Sequence, residues 1–425
     1  MFNIRNKVHH NIELILVLII VLLFSRGFIW INVLYFLFPL LLGILIVTDI
    51  QSLKQELLKY YEIIIYFPFV AVILLSALWS QHIVVTLTRS FYFLFLLFGM
   101  YIFSLKMEDF NLSIKKLFIP IITLVIIVSV LSLLLKFPTE YRTGGNGLGF
   151  MGFAAHQNTL GSIMFVFTSI LNYTLFSLNK NESARGSKIY LLLLANLLSL
   201  FILISTFSRG AIISYFLFGV VFVLFEYGYK KTLLVIVSIA VVFLLLSRID
   251  MVNQYLNYAG YKGADRIISS REAMYLGSFE AAKNGGLFGL GYGVSDQAIS
   301  VGVPGDVVNG VFIREKGSTL LALVEETGII GAILFYLPVG IVLWKGVRVK
   351  TLRQDQCYVH FVKLSVTNGM SVERSKELSF LIGIIIAMTV HSQIEAWGVG
   401  VGSVMLPVYL LFLARLSRKV KCMSY

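Results

Sequence analysis

Charged residues are scarce in this chain. Of its 425 residues, 13% are charged, whereas 58% are hydrophobic and 14% are aromatic. A globular domain with a water-facing surface carries about 25% charged residues. The mean hydropathy is +0.87. Lipid must therefore be the main solvent of the folded chain, and a soluble protein is excluded.

Cysteine is nearly absent as well. The two cysteines, Cys357 and Cys422, lie in segments predicted to be cytoplasmic, and their spacing matches no metal-binding motif. The sequence also lacks a phosphate-loop lysine and a nucleophile elbow. We therefore predict no disulfide framework, no metal site and no cofactor.

A dense basic block is also missing, although the net charge is +13. The lysines and arginines lie in short polar segments between apolar runs, and they are not interleaved with aromatic residues as in a nucleic-acid interface. The positive charge therefore indicates orientation in a membrane, and nucleic acid is not expected as a partner.

Long apolar runs are abundant. A transmembrane helix needs about 20 mostly apolar residues. Runs of this kind, some a little short, lie near residues 12–25, 28–47, 61–79, 83–104, 117–136, 151–178, 189–206, 210–227, 232–247, 319–344, 378–393 and 398–414. The first run lacks a small-residue cleavage site and is interpreted as a retained helix. We predict an all-α polytopic membrane protein of about 12 transmembrane helices, with residues 1–425 forming a single transmembrane domain.

The distribution of basic residues predicts the orientation of these helices. With the N-terminus in the cytoplasm, the inner segments hold 23 lysines and arginines, whereas the outer segments hold ten, of which seven lie in one long loop. Basic residues favour the cytoplasmic side, and long loops count little in this rule. Both termini are therefore predicted to be cytoplasmic.

Two outer connections are longer than tight turns. One spans about 137–150, and the other, 248–318, far exceeds the usual loop length. The second contains a helix-like stretch from Ser270 to Lys283 and a glycine run from Gly285 to Gly293. No strand precedes that run, so we expect a tight turn that orders the loop rather than a nucleotide cradle. The sequence predicts a large, partly helical periplasmic or extracellular loop.

Four arginines are predicted to face the outer side of the membrane. Arg89 lies within an apolar run, Arg209 lies at the junction of two runs, and Arg142 and Arg271 lie on the two long outer loops. A single arginine of this kind can simply snorkel or form a structural pair. Four on one side favour a phosphate site, because the planar guanidinium binds phosphate oxygens in pairs.

Several titratable residues could serve as a base. A lone histidine at a helix end, such as His156, more often satisfies a hydrogen bond than catalyses a reaction. His391 and Glu395 are four residues apart and are predicted to share a helix face, but HExxH is absent, so a metal is not expected. Glu325 and Glu326 are interpreted as either a helix-end pair or a source of the base.

Five segments together resemble the O-antigen polymerase and O-antigen ligase superfamily of bacterial surface polysaccharide assembly. They are Ala155–Asn158, Ser205–Gly210, Ser270–Arg271 leading into Gly289–Gly293, Gly317–Leu320 followed by Glu326–Gly331, and His391–Glu395. Their order, spacing and position relative to the membrane carry the resemblance, which covers roughly residues 140–415. It implies a GT-C-like fold, as in glycosyltransferases that use lipid-linked sugars.

The resemblance also implies a reaction. Family members act on polyprenyl-diphosphate-linked oligosaccharides (undecaprenyl diphosphate being the lipid) at the outer face of the plasma, or inner, membrane of bacteria. Polymerases join repeat units into O-antigen, capsule or exopolysaccharide, and ligases transfer them to the core sugar of lipopolysaccharide. Ligases carry a histidine ahead of a Gly-x-x-Gly turn, where this chain has Gly317. That difference favours a polymerase independent of metal and nucleotide.

On this interpretation the substrate and the membrane lipid are the expected partners, with a flippase and a chain-length regulator as possible protein partners. The candidate catalytic residues are Arg209, Arg271, Glu326, Glu395 and His156. The candidate substrate-binding residues are Arg89, Arg142, Asn158, Arg266, Ser318 and His391. The alternatives are a ligase or a transporter such as a flippase, whose charged residues would line the full depth of a cavity rather than one end.

Overall fold

The structure is a computed structural model of the chain. It describes residues 34–48, 64–107, 109–135, 149–152, 154, 156–178, 186–246, 264–296, 305–308, 311–314, 316–360, 368–398 and 403–423, and the isolated positions 16, 18, 19 and 21. Arg142, most of the first predicted span and the beginning of the second lie outside these residues. The count of twelve spans and the GT-C-like fold therefore remain predictions.

The described part of the chain is almost entirely helical, as predicted. Its helices are α1 (Leu34–Thr48), α2 (Phe67–Leu75), α3 (Ile83–Lys106), α4 (Phe110–Ser113), α5 (Ile119–Leu135), α6 (Gln157–Phe176), α7 (Gly186–Ser205), α8 (Arg209–Tyr227), α9 (Tyr229–Leu246), α10 (Ala264–Gly285), α11 (Thr319–His360), α12 (Asn368–Ile394) and α13 (Met405–Met423). A 3₁₀ turn follows α2, and a π-helical turn joins α4 to α5.

Six helical segments of the described residues are long and apolar enough to cross a membrane. They are Ile83–Lys106, Phe110–Leu135, Gln157–Phe176, Arg209–Tyr227, Thr319–Leu352 and Ser375–Ile394. The chain is thus a multi-pass membrane protein. The predicted helix ends are wrong at α13, which begins seven residues later than predicted and continues past Arg415, because the arginine is buried against Glu377 at 2.8 Å.

The core lies around α6 and α12. Both are buried along most of their length, whereas α7 turns Leu191, Leu194 and Leu197 outward, more than half exposed. Lipid is as apolar as leucine, so packing between transmembrane helices relies on close contact and on polar pairs. One such pair joins Thr168 of α6 to Ser199 of α7 at 2.7 Å. These contacts fix α6 inside the bundle.

The long loop at 248–318, which was predicted to face outward, contains regular secondary structure among its described residues. The predicted helix at Ser270–Lys283 is confirmed and extends over the whole of α10. A short antiparallel hairpin follows, formed by β1 (Gly305–Val308) and β2 (Val311–Arg314), with Gly305 opposite Arg314. This hairpin is the one departure from the all-α prediction among the described residues, and it lies outside the helical bundle.

Candidate functional site

The glycine run after α10 is a turn packed against a break in α11. The amide of Leu290 donates to the carbonyl of Glu325 at 2.9 Å, and the amide of Gly291 donates to the carbonyl of Glu326 at 3.0 Å. The helix is interrupted at Gly328, where φ is +71° and ψ is −178°. This geometry frees carbonyls of α11 for the turn, so the prediction of an ordering turn is confirmed.

Close approach explains why Gly289 must be glycine. Its φ is +77°, and an added Cβ would lie 2.3 Å from the carbonyl carbon of Glu326. Gly286 also has a positive φ, +58°, but an added Cβ there would meet nothing within 4 Å. Backbone cannot give way as a flexible side chain can, so the two positions differ in their tolerance of alanine.

We expect Gly289→Ala to lower the free energy of unfolding more than Gly286→Ala does. Each substitution pays about 1–2 kcal/mol for the left-handed conformation, and only the first adds a backbone collision. Thermal unfolding in detergent measures both. Equal losses from the two variants would show that the turn is not packed as described.

Beside this turn lies a buried ionic group, here called the Lys316 cluster, which contains Lys316, Glu325 and Glu326. The ammonium of Lys316 pairs with Glu326 and lies 3.6 Å from Glu325, and its side chain is 6% exposed. The two carboxylates are fully buried. The second carboxylate oxygen of Glu326 accepts the amide of Gly293 at 2.7 Å. The cluster therefore holds the turn by charge-assisted bonds.

Arg89 completes the attachment of the turn to α3. Its guanidinium donates to the carbonyl of Gly293 at 2.9 Å. The neighbouring phenol of Tyr292 is buried, and burial raises its pKa, with the nearby Glu326 carboxylate raising it further. Tyr292 is therefore neutral at physiological pH. The contact of Arg89 with Gly293 is that of a residue that positions the loop, and the role of Arg89 in substrate binding stays a prediction.

The sequence did not identify Lys316 as a functional residue. The sequence pointed to Lys316 only indirectly, because adjacent glutamates at the start of an apolar helix require a counter-ion. Nothing in the sequence showed whether that counter-ion was Lys316 or one of the arginines. In the structure the carboxylate of Glu326 already has a lysine and an amide as partners, an arrangement that favours a structural role over that of a base.

A second polar group, here called the Glu395 cluster, contains His156, Asn158, Arg209 and Glu395. The side-chain amide of Asn158 donates to the carboxylate of Glu395 at 2.9 Å. The backbone amide of Asn158 donates to Nδ1 of His156 at 3.1 Å, so His156 caps the N-terminus of α6. Glu395 is half-buried and His156 is exposed. Residues from three separate segments of the chain thus lie at one end of the bundle.

Two helix N-termini meet in the Glu395 cluster. An added Cβ at Gly161 of α6 would lie 2.5 Å from the Cβ of Ser208, and one at Gly210 of α8 would lie 2.9 Å from Ile394. Arg209 is the first residue of α8 and follows Phe207, whose φ of +53° is rare for a residue with a side chain. Helix N-termini carry partial positive charge and attract anions. The region suits a negatively charged ligand.

His391 lies behind the Glu395 cluster and is fully buried. The indole of Trp397 donates to its Nδ1 at 2.7 Å, and an indole N–H can only donate. Nδ1 must therefore accept, and Nε2 carries the proton that faces Ser162 Oγ at 3.3 Å. Ser162 in turn donates to the carbonyl of Asn158 at 2.7 Å. This series of hydrogen bonds fixes α6 against α12, so His391 contacts protein groups rather than solvent.

Removing the indole donor tests this series of hydrogen bonds. We expect Trp397→Phe to destabilise the protein by about 1–3 kcal/mol, the cost of leaving Nδ1 of His391 buried without a donor. The matched control is Trp344→Phe, because Trp344 is 60% exposed. Thermal unfolding of both variants in the same detergent is the measurement. A Trp397→Phe variant as stable as the control would contradict the assigned tautomer.

The two clusters are joined through Gln393. Its side-chain oxygen accepts from Ser318 Oγ at 3.1 Å, and its backbone carbonyl lies 3.4 Å from the hydroxyl of Tyr275 on α10. Arg271 lies one helical turn before Tyr275, and Arg266 lies earlier on the same helix. The contact of Tyr275 brings the part of α10 one turn from Arg271 against Gln393 of α12. Among the described residues, no group of three His, Cys, Asp or Glu side chains could hold a metal ion.

Part of the chain matches a known protein family. Residues 194–336, about a third of its length, match the family model described as O-antigen ligase. The match confirms the resemblance to the O-antigen polymerase and ligase superfamily. It includes Arg209, α10, the glycine turn and the Lys316 cluster, whereas Asn158 and Glu395 lie outside it. No curated protein matches the chain.

Proposed function

Starting from this family match, we propose that the protein is a glycosyltransferase that polymerises polyprenyl-diphosphate-linked oligosaccharides at the outer face of the bacterial plasma membrane. The observation that carries the proposal is the Glu395 cluster. There Arg209 begins one helix, whose Gly210 packs against Ile394, and the next residue, Glu395, has a half-buried carboxylate that Asn158 holds at the N-terminus of another helix. An anion site next to a proton acceptor is what transfer from a diphosphate requires.

The leaving diphosphate gains negative charge as the bond between the sugar and its phosphate oxygen breaks. Fixed positive groups at that point stabilise the transition state without reorganisation. Arg209 and the two helix N-termini supply such groups, and Arg266 and Arg271 on α10 are proposed to add to them. Arg142 retains its predicted role in substrate binding. The diphosphate thus needs neither a metal nor a nucleotide to neutralise it.

The acceptor hydroxyl must lose a proton as the new glycosidic bond forms. Three residues were candidates for this base. Glu326 is buried with Lys316 as its partner, and His156 has its Nδ1 engaged in a helix cap. Glu395 is half-buried, and one of its oxygens accepts a bond from Asn158 that orients the carboxylate. We assign Glu395 as the base, which takes the hydroxyl proton while the donor releases its lipid diphosphate.

The surroundings of Gly317 support polymerase over ligase. An added Cβ at Gly317 would lie 3.1 Å from the ring of Tyr275. A histidine at this position, which the resemblance leads one to expect in ligases, would displace that ring. Tyr275 also reaches Gln393, so the space is filled by a contact between α10 and α12. The acceptor is accordingly proposed to be a second lipid-linked repeat unit rather than a lipopolysaccharide core.

Reconstitution in liposomes tests the proposal. Purified protein is given polyprenyl-diphosphate repeat units without nucleotide or metal, and the product is sized on a gel. A ladder of longer lipid-linked glycans is the expected result. If the donor instead moves between leaflets and no ladder forms, the protein is a transporter. Product that appears only with a lipopolysaccharide core as acceptor would make it a ligase.

Within the same assay we expect Glu395→Gln to slow polymer formation by about 10²–10⁴-fold, the usual contribution of a general base. The glutamine keeps an oxygen for the amide of Asn158, so folding and thermal unfolding are expected to stay close to those of the wild type. The matched control is Glu280→Gln, on the exposed side of α10. Wild-type rates from Glu395→Gln would remove this residue from the mechanism.

A further inference from the structure

A small cavity lies where α2, α3, α11 and α13 meet. It is lined by Tyr66, Leu97, Tyr101, Val342, Leu410, Leu413, Ala414 and Ser417. The residues from α13 repeat at the spacing of one helix face. Arg415 of the same helix pairs with Glu377 of α12, which lies 18 residues before Glu395. The cavity is therefore separate from the candidate active site.

Two hydroxyls at the wall of this cavity have no direct hydrogen-bond partner among the described residues. They belong to Tyr66 and Ser417, each 4% exposed. At the same helix interface, Ser104 Oγ and Arg418 Nε are also buried without one. A buried polar atom without a hydrogen-bond partner is destabilising. The two hydroxyls at the cavity wall therefore require another source of hydrogen bonds.

The size of the cavity indicates which molecule can supply these hydrogen bonds. The centre of a water molecule has about 20 Å³ available there, and roughly 10–15 Å³ on that measure is enough for one water. A void lined by apolar groups alone would stay dry, but this one has hydroxyls in its wall.

We propose that this cavity is a binding site for ordered water, which bridges the hydroxyls of Tyr66 and Ser417 inside the membrane-spanning bundle. The water donates to one hydroxyl oxygen and accepts from the other, so both buried groups gain a partner. The water thereby joins Tyr66, which precedes α2, to Ser417 of α13. These two side chains have no direct hydrogen bond to each other. The site is thus a hydrated contact between these two segments.

Radiolytic hydroxyl-radical labelling of the full chain in lipid nanodiscs tests this proposal, because radicals formed from a bound water oxidise the side chains around it. Tyr66 and Tyr101 are expected to be labelled faster than Tyr409, which is equally buried but has its hydroxyl 2.9 Å from Thr389. The wild-type protein alone gives this comparison. Labelling of Tyr66 no faster than that of Tyr409 would overturn the proposal.

The double variant Tyr66→Phe with Ser417→Ala provides the second measurement. Both hydroxyls are removed and the cavity becomes more apolar, so labelling of Tyr101 is expected to fall to the rate of Tyr409. Persistent fast labelling of Tyr101 would show that these two hydroxyls do not hold the water. If the double variant does not fold, the wild-type comparison still decides between the two outcomes.

Discussion

Arg209→Ala is expected to lower the rate of polymer formation by about 10²–10³-fold, the effect of removing one fixed group that stabilises developing negative charge. Arg209 is the first residue of α8, and its neighbour Gly210 packs against Ile394, next to Glu395. Alanine keeps this helix start and its packing. The loss should therefore appear in the reaction rate and not in the thermal unfolding of the protein.

Two further variants make this measurement specific. Arg209→Lys retains the charge but not the planar fork that binds two phosphate oxygens, so it should recover only part of the activity. Arg348→Ala removes an arginine that stacks on Trp344 near the other end of α11 and should leave the rate unchanged. Equal losses from Arg348→Ala and Arg209→Ala would indicate a general effect of charge, and full activity of Arg209→Ala would exclude its role at the diphosphate.

Lys316→Met is expected to cause the largest loss of stability, about 3–5 kcal/mol, which is typical when one member of a buried ion pair is removed. Glu325 and Glu326 would then be buried side by side without their lysine. The glycine turn would lose the carboxylate that fixes Gly293. Unfolding by heat or denaturant measures the change, and limited proteolysis of the loop reports whether the turn has been released.

The matched control for this variant is Lys283→Met. Lys283 lies on the exposed side of α10, over the ring of Phe279, and its loss should change stability little. Glu326→Gln separates structure from catalysis, because Lys316 keeps Glu325 as a partner and the glutamine oxygen can still accept from Gly293. We expect this variant to polymerise. Loss of polymer from a stable Glu326→Gln protein would return the role of base to Glu326.

Several features of the site could be predicted from local sequence. The glycine run predicted the turn between α10 and the hairpin, because glycine alone adopts a positive φ at Gly289, Gly291 and Gly293 without strain. The polar junction before α8 predicted that Arg209 would lie at a helix terminus. Both are properties of a few adjacent residues and do not depend on which helices become neighbours.

The role of His391 could not be predicted in this way. Its spacing from Glu395 predicted a shared helix face, and both residues do face α6, Glu395 at Asn158 and His391 at Ser162. His391 is nevertheless fully buried and bonded to Trp397, whereas Glu395 remains half-buried. A spacing rule does not say which of two residues the neighbouring elements cover.

The sequence by itself determined that this is a multi-pass helical membrane protein, because apolar runs and scarce charge leave the backbone no other way to satisfy its hydrogen bonds in lipid. Tertiary structure alone decided the partners of the polar side chains: Arg89 meets a glycine 204 positions away, and Asn158 meets a carboxylate 237 positions away. Helix surfaces that are uniformly apolar do not specify their neighbours. Close packing and a small number of buried polar contacts specify them. The same contacts distinguish Glu395, which we assign as the base, from Glu326, which holds the loop.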